Sequence, residues 1–538
     1  MGQEPGRGGV LDALWKHRAR ADGAAIADLS QPPLGEDVGD VAVLQDQGDL
    51  ILRPNTFDLK GLGLRFVRNG AGGYDVSRIS ADFRTTLGNA LALGDDDSFA
   101  ATVPFTFPFY GSAQSQAFVN SDGNVTFGAE DRASSARDVS RLLTGPPRVA
   151  PFLADLDPSK GGRIFLQTAS NEFTVTWCNV RGFDSIDRAT IQVTLLPDGS
   201  IEEKFADTTT LGDAVVGASP GRTGAFAPID LSVQGPTNGG SAAVGERFST
   251  VIELDLVAVG KRFYESHQDR YDQLVIWTDT KVTHGSFAFE VTVANEIHGI
   301  GVDVYDSSRD FGGAGQLRSL VLMDVIGKYP NDPAQKFLGE DSTLSVLGQE
   351  AGHRWLAFLR FRDHNGATSD ALLGRDQAHW SFFFDSDASV MEGNDIENLG
   401  GGSFRTIAAA ERYSRLDQYA MGFVKESEVP PFFYVEAPIN VQPPQDATSA
   451  PQIGVTFNGT ARTALIQDVV AVLGPRQPAA GTGSRVHRQA FLFVVGAGRA
   501  TNADDVAKVD RIRSEWEAFF SKATSGRGQV VTTLNPGS

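Results

Sequence analysis

Three residues within one predicted helix have the types and the spacing to hold a metal ion and activate a water molecule. Gln349 and His353 lie four residues apart and share a helix face, and Glu350 lies beside them, about 100° around the axis. Two ligands one turn apart can hold a metal ion while a neighbouring carboxylate takes a proton from the water that this metal binds. The spacing predicts a helix over 343–361, with Gln349 and His353 facing a cleft and Glu350 as the general base.

The motif differs from the usual zinc-binding helix at its first ligand. In the sequence His-Glu-x-x-His both ligands are imidazoles, whereas Gln349 offers a carboxamide. An amide oxygen is a weaker and harder ligand for zinc than an imidazole nitrogen. A string of this kind also occurs by chance, and a helical histidine is often a plain structural residue. Gly352 favours a special role for the helix, because glycine costs about 1 kcal/mol relative to alanine at a helical position.

The amino-acid sequence around this helix resembles that of known metallopeptidases. Residues 347–357 look like the zinc helix of metallopeptidases with the form H-E-x-G-H-R-W. Residues 372–394 and 413–423 are similar to segments of large secreted bacterial proteins that join a β domain to a metallopeptidase-like domain. The gametolysin-like metallopeptidases include members with Q-E-x-x-H. The resemblance therefore implies a zinc-dependent peptidase in which Gln349 replaces the first histidine.

A third metal ligand has to come from outside this helix. The metzincin spacing would place a histidine six residues after His353, where the chain has a leucine. His379 is the first candidate, because it precedes Trp380 in the segment that most resembles the family. Its alternative role is that of a histidine within an aromatic cluster. Two acidic residues expected on a helix over 408–421 are the other candidate ligands: Asp417 and Glu411.

The N-terminal half resembles nidogen-like extracellular domains in three motifs. Short apolar runs about ten residues apart, separated by Gly, Asn and Asp, predict a β sandwich. Asp122-Gly123 favours a tight hairpin turn. A stretch rich in glycine, residues 235–243, indicates a linker after this half. The three motifs that resemble the nidogen-like family are residues 103–111, 119–127 and 147–157.

The chain is therefore expected to have several domains of different class. Its 538 residues allow two to four domains. We expect an N-terminal extension over 1–40, an all-β nidogen-like sandwich over 41–235, and an α/β (α+β) metallopeptidase-like domain over 246–530.

Charge and cysteine content exclude several classes of protein. The 47 basic and 67 acidic residues give a net charge of −20, which disfavours binding to nucleic acid or to anionic membranes. Cys178 is the only cysteine, so no internal disulfide, no Cys-ligated zinc site and no iron–sulfur cluster is expected. No apolar run approaches about 18 residues, so no membrane span is expected. The first thirty residues lack the apolar core of a signal peptide, so the chain is either cytoplasmic or a mature form whose leader was removed. The resemblance to secreted proteins implies the second.

These observations predict a secreted zinc-dependent metallopeptidase-like protein that hydrolyses protein or peptide substrates. Glu350 would be the base, and Gln349, His353 and His379 the zinc ligands. The alternative is a catalytically inactive extracellular adhesion or structural protein built on a metallopeptidase fold. The sequence leaves the substrate and the oligomeric state open. Calcium is a second possible cofactor, because two acidic runs carry oxygen ligands, although both also fit solvated loops: Asp95-Asp96-Asp97 and Asp385-Ser386-Asp387.

Overall fold

The computed structural model describes residues 7–23, 35–134, 137–233, 237–238, 240–283, 285–481 and 484–534. The chain divides into two compact units. The first, here called the β unit, contains Arg53–Val251 and most of helix α1 (Gly8–Gly23). The second, here called the mixed unit, contains residues 35–52 and the described residues from Ile252 onwards.

Two sheets form the β unit. The strands of the larger sheet are, in spatial order, Thr237–Asn238, Tyr74–Ile79, Gly63–Arg68, Ile201–Phe205, Arg188–Leu195, Glu172–Gly182, Arg163–Ala169 and Asn89–Leu91, with Leu156–Asp157 also paired to Glu172–Gly182. Those of the other sheet are Phe226–Pro228, Ala243–Phe248, Ala214–Ser219, Arg148–Leu153, Asn124–Thr126, Ser112–Asn120 and Ser98–Phe109. Among these described strands, pairing is antiparallel except between Phe226–Pro228 and Ala243–Phe248. Inward side chains of both sheets, among them Phe66, Phe109 and Trp177, share one hydrophobic core.

The predicted hairpin turn at Asp122-Gly123 is confirmed. Asn120 pairs with Asn124 across the turn. Gly123 has a φ of 67°, and a Cβ at this position would lie 2.0 Å from the carbonyl oxygen of Phe152. Both the backbone conformation and the space therefore require glycine.

The mixed unit is built on a seven-stranded sheet. Its strands are, in spatial order, Gly35–Val38, Val41–Gln45, Val486–Val495, Gln273–Thr278, Ser319–Val325 and Phe289–Thr292, with Gln529–Val531 also paired to Val486–Val495. The four inner strands are parallel, and Gly35–Val38 and Phe289–Thr292 run antiparallel at the edges. A separate four-stranded antiparallel sheet has the order Asn394–Gly400, Ser403–Ala409, Thr456–Ala464 and Phe432–Gln442.

Helices and short elements complete the described chain. After α1, the helices are α2 (Val139–Thr144) in the β unit, and α3 (Leu256–Tyr264), α4 (Thr343–Gly352), α5 (Arg415–Ala420), α6 (Ile466–Leu473) and α7 (Ala503–Ala523) in the mixed unit. Short 3-10 helices lie at Pro158–Lys160, Ser308–Phe311, Ile326–Lys328, Arg375–Gln377 and Glu426–Glu428. Two-stranded pairs join Ile51–Leu52 to Glu253–Leu254, Ala294–Asn295 to Tyr305–Asp306, Lys336–Leu338 to Asp341–Ser342, and Phe361–Arg362 to Thr368–Ser369.

The division of the chain differs from the expected ranges at both ends of the first domain. Val41–Gln45, expected in the β domain, pairs with Val486–Val495 of the mixed unit. Its first four residues are apolar and buried, which suits an inner strand of a parallel sheet covered on both faces. At the other end, Ala243–Phe248 is a strand of the β unit. Of the linker expected over 235–243, residues 235, 236 and 239 lie outside the described part of the chain.

One carboxyl group lies inside the core of the β unit. Glu203 is 0% exposed, and within the described residues neither of its carboxyl oxygens has a hydrogen-bond partner. On the neighbouring strands its cross-strand partners are Val193 and Leu64. Burial raises the pKa of Glu203 well above its usual range.

Replacing Glu203 with glutamine is expected to stabilise the β unit near neutral pH. A carboxyl whose pKa rises on folding destabilises the fold as the pH climbs above the unfolded pKa, which lies near 4.5. Glu203→Gln removes this penalty, so its free energy of unfolding should exceed that of the wild type by about 1–3 kcal/mol near pH 7.5 and by little near pH 4. Thermal unfolding of the full chain at both pH values measures the difference.

The matched control is Glu202→Gln on the same strand. Glu202 accepts a hydrogen bond of 2.9 Å from Arg84, so its neutralisation should not stabilise the fold. A gain of equal size in both variants, or a gain for Glu203→Gln that does not grow with pH, would contradict the assignment.

Candidate polar cluster at helix α4

Helix α4 begins with a capping box and ends nine residues before the predicted end at position 361. The Ser342 side chain accepts from the Ser345 amide, and the Ser345 side chain accepts from the Ser342 amide. The predicted length is wrong because the chain turns directly after Gly352. The amides of residues 355 and 356 both donate to the Gly352 carbonyl, and Ala357 has a φ of 66° that no helix accommodates.

Three polar side chains converge at the end of this helix. Gln349 Nε2 lies 3.0 Å from His379 Nε2, although the two residues are 30 positions apart in the chain. The rings of His353 and His379 are perpendicular, with centroids 5.0 Å apart. Glu350 lies on the same helix beside Gln349. We call Gln349, Glu350, His353 and His379 the polar cluster; the structure thus brings the predicted ligands together.

The polar cluster is buried rather than open to a cleft. Gln349 and His379 are 0% exposed, and Glu350 and His353 are 1% exposed. Every residue of α4 is buried, because the helix lies between the large sheet of the mixed unit and helix α7. The predicted cleft is therefore absent at these four side chains. The spacing of residues along the helix could not predict this, because it shows which residues share a helix face but not which other segments cover that face.

Hydrogen bonding fixes the protonation of His379. Its Nδ1 lies 2.9 Å from the carbonyl oxygen of Arg375, which can only accept, so Nδ1 carries the proton. Nε2 then keeps its lone pair and accepts from the Gln349 amide. Burial lowers the pKa of both His353 and His379, which holds both imidazoles in the neutral form that binds metals.

Three polar atoms of the cluster are buried without a hydrogen-bond partner in the part of the chain that the structure describes. They are Gln349 Oε1, Glu350 Oε1 and His353 Nδ1. An unsatisfied buried polar atom costs about 1–3 kcal/mol. Gln349 and His353 both meet His379, so a bound cation among these three side chains would supply a further partner for Gln349 Oε1 and His353 Nδ1.

The chemistry of the donors restricts how zinc would fit. Among the described residues, no group of three or more His, Cys, Asp or Glu is placed to hold a metal ion. The two imidazoles fit zinc, so a third protein ligand has to be the Gln349 carboxamide. Rotation of this amide about its last torsion exchanges Oε1 with Nε2 and presents an oxygen toward His379. The residues thus fit zinc only with the amide as a ligand.

Glu350 lies in an environment that disfavours its charge. Burial raises the pKa of Glu350 to about 8, and the nearby carboxylates of Glu290 and Glu392 add to this. Glu392 is itself buried and forms an ion pair with Arg375. A positive charge placed beside Glu350 would lower this pKa again.

The two alternative ligands have other partners. Asp417 is buried on α5, where Oδ1 accepts from Trp380 Nε1 at 2.9 Å and Oδ2 accepts from the Ser414 amide at 2.7 Å. Asp417 thereby fixes the position of Trp380, the residue that follows His379. Glu411 is exposed and pairs with Arg412 at 2.7 Å. The helix predicted over 408–421 is wrong, because the chain forms the end of a strand, a turn and then the short helix α5.

Sequence reasoning missed two contacts that position the cluster. The Arg375 carbonyl fixes the His379 tautomer from a turn in which Asp376 and Gln377 have φ values of 56° and 52°. The hydroxyl of Tyr413 donates to the Gly348 carbonyl at 2.6 Å. Both residues lie in or beside the segments that resemble the metallopeptidase family, but backbone contacts of this kind leave no pattern of residue types.

The acidic run at 95–97 is balanced by arginine. Arg137 contacts Asp96 and lies 2.9 Å from Asp122, and Arg132 lies 2.8 Å from Asp97. These guanidinium groups supply the positive charge next to the carboxylates.

Two glycines of α4 differ in the space around them, which gives a test of the packing. A Cβ on Gly352 would lie 2.7 Å from Met391 Sδ and 3.3 Å from Tyr413 Cε1. A Cβ on Gly348 would meet its nearest atoms at ordinary distances of 3.4–3.6 Å. We expect Gly352→Ala to lower the free energy of unfolding by about 1–3 kcal/mol through overpacking. Gly348→Ala should be neutral or stabilising by up to about 1 kcal/mol.

Urea unfolding of both variants and the wild type measures this difference. Equal stabilisation by both alanines would show that Met391 and Tyr413 do not crowd position 352.

A comparison with family models identifies the β unit. Residues 73–250 match the family model described as NIDO related. The β unit contains a nidogen-like domain. This confirms the resemblance of the motifs at 103–111, 119–127 and 147–157. Comparisons with curated proteins and with solved structures gave no match. Among the described residues, no helix has both the length and the apolar character needed to cross a membrane.

Proposed function

We propose that this chain is a secreted metallopeptidase-like protein that uses zinc at the polar cluster to hydrolyse polypeptides. One observation carries the proposal: residues from two distant segments meet in the interior, and three polar atoms of the cluster are buried without a hydrogen-bond partner among the described residues. Folding would not favour such a group without a further partner. Neutral imidazole is a common ligand of zinc in proteins.

Each residue of the cluster has a distinct role in this proposal. Gln349 Oε1 and the imidazoles of His353 and His379 would hold the metal. When bound, zinc would supply Lewis acidity and a water molecule of lowered pKa. Glu350 Oε1 has no other hydrogen-bond partner within the described residues and would take the proton from that water. The Arg375 carbonyl and Asp417 would act as positioning groups, the first on His379 and the second on Trp380.

The nidogen-like domain supports an extracellular location for this activity. Domains of this kind suggest a protein that acts outside the cell, where polypeptide substrates would be matrix or surface proteins. The net charge of −20 disfavours anionic partners.

A second function has its own support, namely an adhesion or structural protein that no longer catalyses. The four side chains of the cluster are at most 1% exposed, and a buried zinc site with no open position is typical of a structural role. In this form, the same ligands would stabilise the mixed unit without reaching a substrate.

Zinc analysis and a hydrolysis assay on the full chain separate these functions. The protein is stripped with a chelator, dialysed against micromolar zinc and analysed for bound metal, and casein cleavage is then measured. One zinc per chain with cleavage supports the peptidase. One zinc without cleavage supports the structural role. No bound zinc contradicts the peptidase and leaves the adhesion or structural protein, without a metal, as the function.

A further inference from the structure

His379 is the last residue of a tight turn over residues 374–379, here called the His379 turn. The Gly374 amide donates to the His379 carbonyl at 2.8 Å and closes the turn. Within it, the Arg375 carbonyl accepts from His379 Nδ1 at 2.9 Å. Because the ring is held at Nδ1, the conformation of the turn sets the direction in which His379 Nε2 points.

The backbone of the His379 turn is unfavourable by itself. Asp376 and Gln377 have φ values of 56° and 52°, in the left-handed region that residues other than glycine rarely adopt. Both residues are exposed. Two such residues in succession persist where contacts from other segments hold them. Side chains outside the turn are therefore expected to hold it in place.

Glu392 supplies a buried contact of this kind. Its carboxylate forms an ion pair with the Arg375 guanidinium, and the residue is 2% exposed. The carbonyl of the preceding residue, Met391, accepts from the Trp380 amide at 2.9 Å. The chain before His379 and the chain after it are thus attached to two neighbouring residues.

An exposed contact of the same turn provides a comparison. Arg360 Nη2 donates to Gln377 Oε1 at 2.8 Å, and both residues are exposed. Water competes for the groups of such a pair, so it contributes little to holding the backbone. Arg360 therefore serves as a control, because it brings a second guanidinium to the turn without burial.

We propose that Glu392 is a positioning residue of the polar cluster: it holds the His379 turn through Arg375 and thereby directs His379 Nε2 toward the metal. The inference rests on the proposed zinc site, and it assigns Glu392 no contact with the metal or with a substrate. Replacing a residue that orients a ligand imidazole typically lowers metal affinity by about 10–100-fold.

Zinc affinity of the full, chelator-treated chain, measured by competition with a chromophoric chelator, tests this proposal. Glu392→Gln and Arg375→Met should each weaken zinc binding by at least about tenfold. Arg360→Met, which also removes a positive charge from a contact of the turn, should change it by less than about twofold.

Arg375→Met also separates positioning from electrostatics. Burial is the largest cause of the lowered pKa of His353 and His379, and the charge of Arg375 lowers both further. Loss of this charge alone would therefore favour a bound cation and tighten zinc binding. Weaker binding in Arg375→Met requires a change in the geometry of His379, whereas tighter binding would overturn the proposal.

Hydrogen exchange of the metal-free chain gives a readout that does not depend on zinc. The amides of Gln377 and Ala378 donate within the turn, to the carbonyls of Gly374 and Arg375, at 3.1 and 3.2 Å. Their exchange should be at least about tenfold faster in Glu392→Gln and in Arg375→Met than in the wild type, with exchange in helix α7 unchanged.

The outcomes distinguish this proposal from the proposed function. Unchanged zinc affinity in Glu392→Gln, unchanged exchange in the turn, equal effects of Arg360→Met, or faster exchange throughout the mixed unit would overturn the role of Glu392 and leave the zinc site standing. A wild type that binds no zinc would contradict the peptidase instead, and the exchange of the metal-free chain would still decide whether Glu392 holds the turn.

Discussion

Glu350→Gln is expected to retain zinc and to lower peptide hydrolysis by about 10²–10⁴-fold, the usual contribution of a positioned base. The carboxyl does not belong to the three groups that would hold the metal, so its replacement leaves the ligands intact. Glutamine has nearly the same shape but cannot accept the proton from water. In this variant, an amide group that is not basic would occupy the buried position of the Glu350 carboxyl.

Zinc content and the steady-state rate on a casein-derived peptide measure the two parts of this result separately. Glu411→Gln is the control, because Glu411 is exposed and pairs with Arg412, and the sequence offered it as an alternative ligand. It should change neither zinc content nor rate. Loss of zinc in Glu350→Gln would make Glu350 a ligand, and an unchanged rate would remove it from the reaction.

The candidate site could be predicted to the extent that it depends on local spacing. The four-residue interval between Gln349 and His353 predicted that both lie on one helix face, and the segment around Trp380 predicted His379 as their partner; the structure brings all three together. The role of Asp417 could not be predicted, because residue type alone does not distinguish a metal ligand from an acceptor for Trp380.

The parts that could not be predicted depend on contacts between distant segments. In the sequence, Val41–Gln45 cannot be distinguished from the other short apolar strands. Its pairing with Val486–Val495 is what assigns it to the mixed unit. The absence of a side chain at position 352 is required by Met391 and Tyr413, which come from later parts of the chain and leave no room for a Cβ there. The polar cluster is also buried by segments that are distant in the chain. The spacing of Gln349 and His353 therefore suggested a cleft, although both side chains lie in the interior.

Gln349→His is expected to bind zinc at least about tenfold more tightly than the wild type. Imidazole nitrogen is a better zinc ligand than a carboxamide oxygen, and the substitution would create a third imidazole beside His353 and His379. Tighter binding also raises the melting temperature at fixed zinc, since a ligand at about 100 times its dissociation constant stabilises the fold by about 2.7 kcal/mol.

Zinc titration and thermal unfolding of Gln349→His, with and without His353→Ala in the same chain, measure this gain. The double variant should lose the added affinity, because two remaining imidazole ligands hold zinc weakly. A wild type that binds zinc and hydrolyses peptide, with tighter binding in Gln349→His, supports a peptidase with an amide ligand. A wild type without zinc whose Gln349→His variant binds it supports the adhesion protein, in which the site has decayed at one residue. If Gln349→His does not change zinc affinity, residue 349 does not face the metal, and the arrangement with His379 is wrong.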